Sequence, residues 1–189
     1  MALPVRPTDD DPVNSLIVVI AQYLLYLLVI VAGVVWLTVS TQQKAVLAAE
    51  AVLGLVLVGI GIVVASHLHT DPRPFVHDPA SKPLFAHPAD NGFPSDHSAA
   101  AGLLTALVFR YRRILGAAVG VGAVLVAWAR VAAHVHHGQD VVAGLAIGVA
   151  AGALAIWLVS LLADVLRRRG YTAGGSHART TADRARKAD

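Results

Sequence analysis

Three short stretches gather residue types suited to moving a phosphoryl group: Asp71-Pro72-Arg73-Pro74-Phe75, Gly92-Phe93-Pro94-Ser95-Asp96-His97, and Arg130 through His136 to Asp140. Arg73 and Arg130 are planar, permanently charged forks that grip phosphate oxygens with charge-assisted hydrogen bonds. Pro94 before Ser95 reads as a helix entrance, where free backbone N–H groups and the positive dipole end favour an anion. His136 precedes Asp140 by four residues, a spacing that, in a helical turn, lets the carboxylate orient one ring nitrogen and leaves the other free to attack phosphorus. His97, at the helix entrance, is placed to give a proton to the departing oxygen. These residues predict nucleophilic attack by His136, acid catalysis by His97 and a phosphohistidine intermediate. The absence of cysteine removes thiolate nucleophiles, thiolate metal sites and disulfides from consideration.

The elements that must position these groups are apolar helices. The chain has 189 residues, of which 56% are hydrophobic and 14% charged, far from the balance of a soluble domain. Nearly unbroken apolar runs at 15–39, 46–65, 95–109, 114–129 and 141–166 predict an all-α integral membrane bundle of about five transmembrane helices. The stretch 66–94 carries Pro72, Pro74, Pro79, Pro83, Pro88 and Pro94, which excludes a continuous helix and makes it a loop outside the hydrocarbon. The predicted division is an extracytoplasmic arm over 1–14, a transmembrane domain over 15–166 whose loop 66–94 bears the first motif, and a basic, disordered tail over 167–189. The glycines of the second and fourth spans, Gly54, Gly59, Gly61, Gly116, Gly120 and Gly122, read as close helix packing. Glu50 and Asp164 read as hydrated acids near inner helix ends.

Charge sets the expected orientation. Lys44, the cluster Arg110, Arg112 and Arg113, and the tail beginning Arg167-Arg168-Arg169 alternate so as to share one face, and basic residues favour the cytoplasm. The opposite, extracytoplasmic face then receives all three motifs, with the site at helix ends. Eight of the nine histidines fall there: His67, His69, His77, His87, His97, His134, His136 and His137. Outside the motifs, histidine in a wet loop reads as bland.

With these residues in place, the sequence resembles the type 2 phosphatidic acid phosphatase superfamily, whose signature is K-x6-R-P, P-S-G-H and S-R-x5-H-x3-D. The matching residues are Arg73-Pro74, Pro94-Ser95-Asp96-His97, and Arg130 with His136 and Asp140. The resemblance implies that Arg73, Ser95 and Arg130 hold phosphate, that His136 is the nucleophile supported by Asp140, that His97 is the acid, and that catalysis needs no metal or cofactor. Within the superfamily the chain is similar to bacterial undecaprenyl-diphosphatases of the bacitracin-resistance type, through Pro-Arg-Pro-Phe-Val and Phe-Pro-Ser-Asp-His. That likeness implies conversion of a C55 lipid diphosphate to its monophosphate, which recycles the cell-wall lipid carrier. The chain departs from the signature at Ser66 for lysine, Asp96 for glycine, and Ala129 and His134 for the serine and glycine of the third motif; His67 or His69 is available in place of the lysine.

The expected partners are the bilayer and a lipid phosphate or diphosphate, not nucleic acid. An alternative substrate is phosphatidic acid or phosphatidylglycerol phosphate, because the motifs read phosphate and not the lipid tail. From another class, a histidine-rich metal-binding or transport protein would use His134, His136, His137 and Asp140 as ligands. Against transport, the centres of the spans carry almost no ionisable groups.

Overall fold

The computed structural model describes residues 11–78 and 80–186, with side chains described as far as Arg167 apart from Pro79. The first ten residues of the predicted arm lie outside it. Asp11 accepts the Val13 N–H at 2.9 Å and Pro12 occupies the first turn, so α1 (Pro12–Thr38) begins ahead of the apolar run. Ser40 and Gln43 form a reciprocal capping box, which likewise starts α2 (Thr41–Leu68) in polar sequence before residue 46. A single turn, α3 (Pro74–His77), interrupts the proline-rich loop. Ser95 caps α4 (Asp96–Tyr111), and α5 (Arg113–Ala132) and α6 (Gly138–Arg186) complete the bundle. The regular secondary structure of the described residues is all helical apart from one isolated bridge between Pro72 and Asn91.

The α6 backbone continues helical to Arg186, past residue 167 where the predicted tail begins. No proline follows Pro94 to stop it, and alanine and arginine are strong helix formers.

Four helices, α1, α2, α5 and α6, are long and apolar enough to cross a membrane. The fifth predicted span, α4, has 16 residues and reaches only about 24 Å. It is enclosed: α4 packs against α1, α2, α5 and α6, and its Ala99, Ala101, Leu103, Leu107 and Val108 are buried. Large apolar side chains face outward instead, with Val52 64%, Tyr26 62% and Val121 63% exposed, as expected where lipid replaces water.

Small residues let α4 and α6 cross at backbone contact. A Cβ on Gly144 would run into the Ser95 carbonyl oxygen, and one on Gly152 would lie 2.6 Å from Ala106 Cβ. Between them, Gly148 abuts the Ala99 carbonyl. This small-residue stripe presses the entrance of α4, which carries Ser95 and His97, against the start of α6, which carries Asp140. The packing role expected for glycines of α2 and α5 holds at Gly54, Gly61, Gly116, Gly120 and Gly122, whereas Gly59 faces nothing within 4 Å.

Glu50 corrects its expected hydration. It is 0% exposed, and its Oε2 accepts the Tyr111 hydroxyl at 2.8 Å while Oε1 has no protein partner. The pair ties α2 to the end of α4. Tyr111→Phe is therefore expected to lower stability by about 1–3 kcal/mol, the desolvation penalty of a buried acceptor losing its donor. Thermal unfolding in detergent tests this, and an unchanged midpoint refutes it.

Candidate active site

The loop between α2 and α4 is folded back over the bundle by a polar clasp. Asn91 Oδ1 accepts the N–H groups of Asp71 (2.9 Å) and Phe93 (3.0 Å), and Asn91 Nδ2 donates to the carbonyls of His69 and Ser66 at 3.3 and 3.4 Å. The Gly92 N–H donates to the Asp71 carbonyl at 2.9 Å. A Cβ at Gly92 would sit 3.2 Å from Asp140 Oδ2 and 3.4 Å from Arg73 Cγ, so this position brings the loop against both the first and third motifs. Asp71 Oδ2 reaches the start of α6, accepting from Gln139 Nε2 at 2.6 Å and lying 2.8 Å from His137 Nδ1.

That clasp delivers Arg73 into the bundle end, 6% exposed. Its Nε donates to Asp90 Oδ1 at 2.8 Å and its Nη1 to the Val135 carbonyl at 2.8 Å, fixing both edges of the guanidinium. Although partial burial alone would raise the Asp90 carboxyl, the hydrogen bond and charge of Arg73 hold it below the usual carboxylate range. Arg130, at the last turn of α5 and 3% exposed, approaches from the other side, with its Nε buried and unpartnered.

His136 lies between the two arginines. Its Nε2 is 3.3 Å from Arg73 Nη1 and 3.5 Å from Arg130 Nη2, while Nδ1 is 3.3 Å from Asp140 Oδ2. Asp140 is 0% exposed and its Oδ2 also accepts the His137 N–H at 2.8 Å, which fixes the carboxylate. The ring is thus presented with one nitrogen on a carboxylate and the other among cationic donors. Burial first, and the two arginine charges with it, push His136 below the ordinary histidine value against the opposing pull of Asp140. The neutral ring, its Nε2 lone pair facing the two arginines, is the dominant form at neutral pH.

The backbone places the second motif beside them. The Ser95 N–H donates to the Asp140 carbonyl at 3.0 Å, and the Ser95 hydroxyl, fully buried, accepts from the Ser98 hydroxyl at 3.2 Å. Phe93–Pro94 is a cis peptide. His97 is half-buried in the first turn of α4, within electrostatic reach of Arg130, His136, His87 and Arg73. All six residues singled out in the sequence, Arg73, Ser95, His97, Arg130, His136 and Asp140, therefore belong to one end of the bundle. Asp96 stands exposed at the same helix start.

Three residues of this end carried no sequence signal of their own. Asn91 and Asp90 are ordinary loop residues by composition. His87 reads as bland, yet its Nε2 is 2.7 Å from Arg130 Nη2 and its ring stands edge-on to His136 with centroids 6.1 Å apart. By contrast, His67 Nδ1 turns back to the Val63 carbonyl at 2.7 Å and His69 packs edge-on against Phe93. His134 has φ 58°, the left-handed backbone that favours glycine, and its Nδ1 is 3.1 Å from the Lys82 carbonyl. The four-ligand set expected of a metal protein does not assemble, since His134 faces the loop. The described residues that come together are Asp71, His137 and Asp140, with ligand atoms within 4.8 Å of one another, and these already hydrogen-bond among themselves and to His136.

An apolar helical bundle with a buried histidine and two convergent arginines at one end defines a multi-pass membrane protein whose polar residues gather at that helix end. The chain belongs to the PAP2 superfamily, matched over residues 20–163, and is a membrane phosphatase. It is 30% identical over 152 residues to the bacitracin transport permease protein BcrC of Bacillus licheniformis, covering 80% of this chain and 74% of that one. It is 29% identical over 163 residues to the undecaprenyl-diphosphatase BcrC of Bacillus subtilis, covering 84% and 79%. Among solved structures, Aquifex aeolicus LpxE superimposes with a TM-score of 0.61 at 23% identity, covering 77% of this chain and 87% of that one. A PAP2-type phosphatidylglycerolphosphate phosphatase from Bacillus subtilis superimposes with a TM-score of 0.51 at 23% identity, covering 82% and 78%.

Proposed function

We propose that this phosphatase removes the terminal phosphate of a polyprenyl diphosphate, undecaprenyl diphosphate in the first instance, through a phosphohistidine on His136. The observation that carries the reading is the polarity of His136, with Nδ1 on Asp140 and Nε2 between Arg73 and Arg130. A phosphoryl group gripped by the two arginines and by the start of α4 presents its phosphorus to Nε2. The Nε2–P bond forms as the bridging P–O bond breaks, and His97 protonates the lipid monophosphate oxygen that leaves. Water then attacks the phosphohistidine, His97 takes its proton, the P–N bond breaks and inorganic phosphate departs. Asp140 stabilises the charge that develops on the His136 ring.

The diphosphate is favoured because a lipid monophosphate is a better leaving group than an alkoxide, and because two of the curated relatives carry undecaprenyl-diphosphatase names. Purified protein is expected to turn over the polyprenyl diphosphate with a kcat/KM at least about tenfold above that for the monophosphate, equivalent to roughly 1.4 kcal/mol at the transition state. A phosphate-release panel including phosphatidic acid and phosphatidylglycerol phosphate measures this. A comparable or higher value for any of the monoesters removes the diphosphatase assignment and leaves the phosphatase chemistry standing.

The active-site end is proposed to face outside the cytoplasmic membrane, because Lys44, Arg110, Arg112, Arg113 and Arg167 fall at the other end of the helices. A diphosphate lipid can then be processed at the outer interface with its tail in the bilayer. Cysteine introduced at the exposed Ala80 is expected to react with an impermeant maleimide in intact cells, and cysteine at the exposed Arg112 only after lysis. The reverse pattern inverts the orientation.

A further inference from the structure

We propose that His87 is a phosphate-binding residue that compensates for the lysine missing at position 66, accepting from Arg130 in the structure and donating to a phosphoryl oxygen once one binds. This rests on the reading of the Arg73, Arg130 and His136 cluster as the phosphate site. Ser66 itself is spent on the Val63 carbonyl at 2.9 Å, and His67 beside it turns back into its own helix, so neither supplies a cation to the cluster. His87 reaches the cluster from the loop. Its Nδ1 lies 3.4 Å from the Pro88 carbonyl and its Nε2 2.7 Å from Arg130 Nη2. Those partners assign a neutral ring that donates through Nδ1 and accepts through Nε2.

A phosphate oxygen is an acceptor and cannot take the place of the Arg130 donor at Nε2 while that nitrogen is deprotonated. Binding therefore requires a proton on Nε2. The groups acting on His87 explain why the proton is withheld without phosphate: burial first, then the charge of Arg73, with those of Arg130 and His136 added, lower its proton affinity, against the Pro88 carbonyl. His97 and the Asp90 carboxylate are also within electrostatic reach, the latter already bound to Arg73. An incoming phosphoryl dianion reverses the local sign and draws the proton on. In the pH window between the lowered free value and the raised bound value, binding takes up one proton at His87, so affinity falls as pH rises. A lysine in the same place stays charged throughout that window.

Orthovanadate inhibition of the full-length protein in detergent, with any lipid phosphate it turns over as reporter, tests this without depending on the preferred lipid. His87→Ala is expected to raise the inhibition constant about tenfold, and His87→Lys to restore it to within about twofold of wild type. The ratio of the wild-type constant to the His87→Lys constant is expected to rise with pH between about 5.5 and 8, a comparison in which the ionisation of vanadate cancels. Thermal midpoints of both variants, and of His87→Gln, separate a folding defect from a binding defect, and His77→Ala serves as an exposed control. A change of less than twofold in His87→Ala, failure of His87→Lys to recover, or a pH-independent ratio overturns the proposal. Retained turnover in His136→Ala would instead overturn the reading of the nucleophile, a result independent of these ratios.

Discussion

His136→Ala is expected to lower kcat by at least about ten-thousandfold while leaving the protein folded in detergent. A nucleophile that forms the covalent intermediate works as a unit with the groups that orient it, so its removal costs most of the chemical acceleration and not a fraction. The substitution removes a ring lodged between Arg73, Arg130 and Asp140, three groups that retain other hydrogen-bond partners: Arg73 keeps Asp90 and the Val135 carbonyl, Arg130 keeps His87, and Asp140 keeps the His137 N–H. Folding is therefore spared where turnover is not. The same assignment fixes the sign of a pH effect. Since burial and the arginines lower the proton affinity of His136, the reactive neutral ring persists below the ordinary value of 6.5 and is lost as pH falls through the lowered one. The acid limb of kcat/KM is expected below pH 6.5. Trapping of an acid-labile phosphoprotein from radiolabelled substrate in wild type but not in His136→Ala completes the test. Turnover by the variant at near wild-type rate would reassign the nucleophile.

Arg130→Ala is expected to reduce kcat/KM roughly a hundred- to a thousandfold, the usual consequence of removing one preorganised donor from developing negative charge. Arg130 is held without a strong ion pair: its Nη2 leans on His87 and its Nε is buried and unpartnered. Such a cation is stabilised by what binds to it, and a phosphoryl group provides that partner. Arg130→Lys keeps the charge but loses the fork, so only partial recovery is expected. The loss should appear equally in orthovanadate inhibition. If Arg130→Ala leaves both turnover and inhibition within about threefold, the arginine is an interfacial anchor and the phosphate grip lies elsewhere.

The membrane helices were legible because their signals are local and additive. A run of apolar residues identifies a span regardless of what packs against it, and all five predicted spans correspond to described helices. Their starts were less legible: Asp11 and the Ser40–Gln43 box extend α1 and α2 into polar residues, since a cap satisfies backbone donors that hydropathy does not count. The three motifs were equally readable, because spacings such as His136 to Asp140 keep both groups on one short stretch of chain, here the bend that leads into α6. What α4 is could not be read from its 16 residues, which are too few for an independent span; enclosure by four other helices makes it the central one.

Sequence by itself determined which residues are suited to the proposed chemistry, since residue type and short spacing specify a donor, an acid or a histidine–carboxylate pair. Only the tertiary structure decided how they meet. Arg73 and His136 are separated by 63 residues and brought to 3.3 Å, a juxtaposition set by the small-residue crossing of α4 and α6 and by the Asn91 clasp. Glu50 looked hydrated because a single chain cannot show that Tyr111, 61 residues later, closes over it. His87 looked bland for the same reason: its meaning lies in Arg130, 43 residues away, and contacts of that range follow from packing three-dimensional surfaces, which no local pattern encodes.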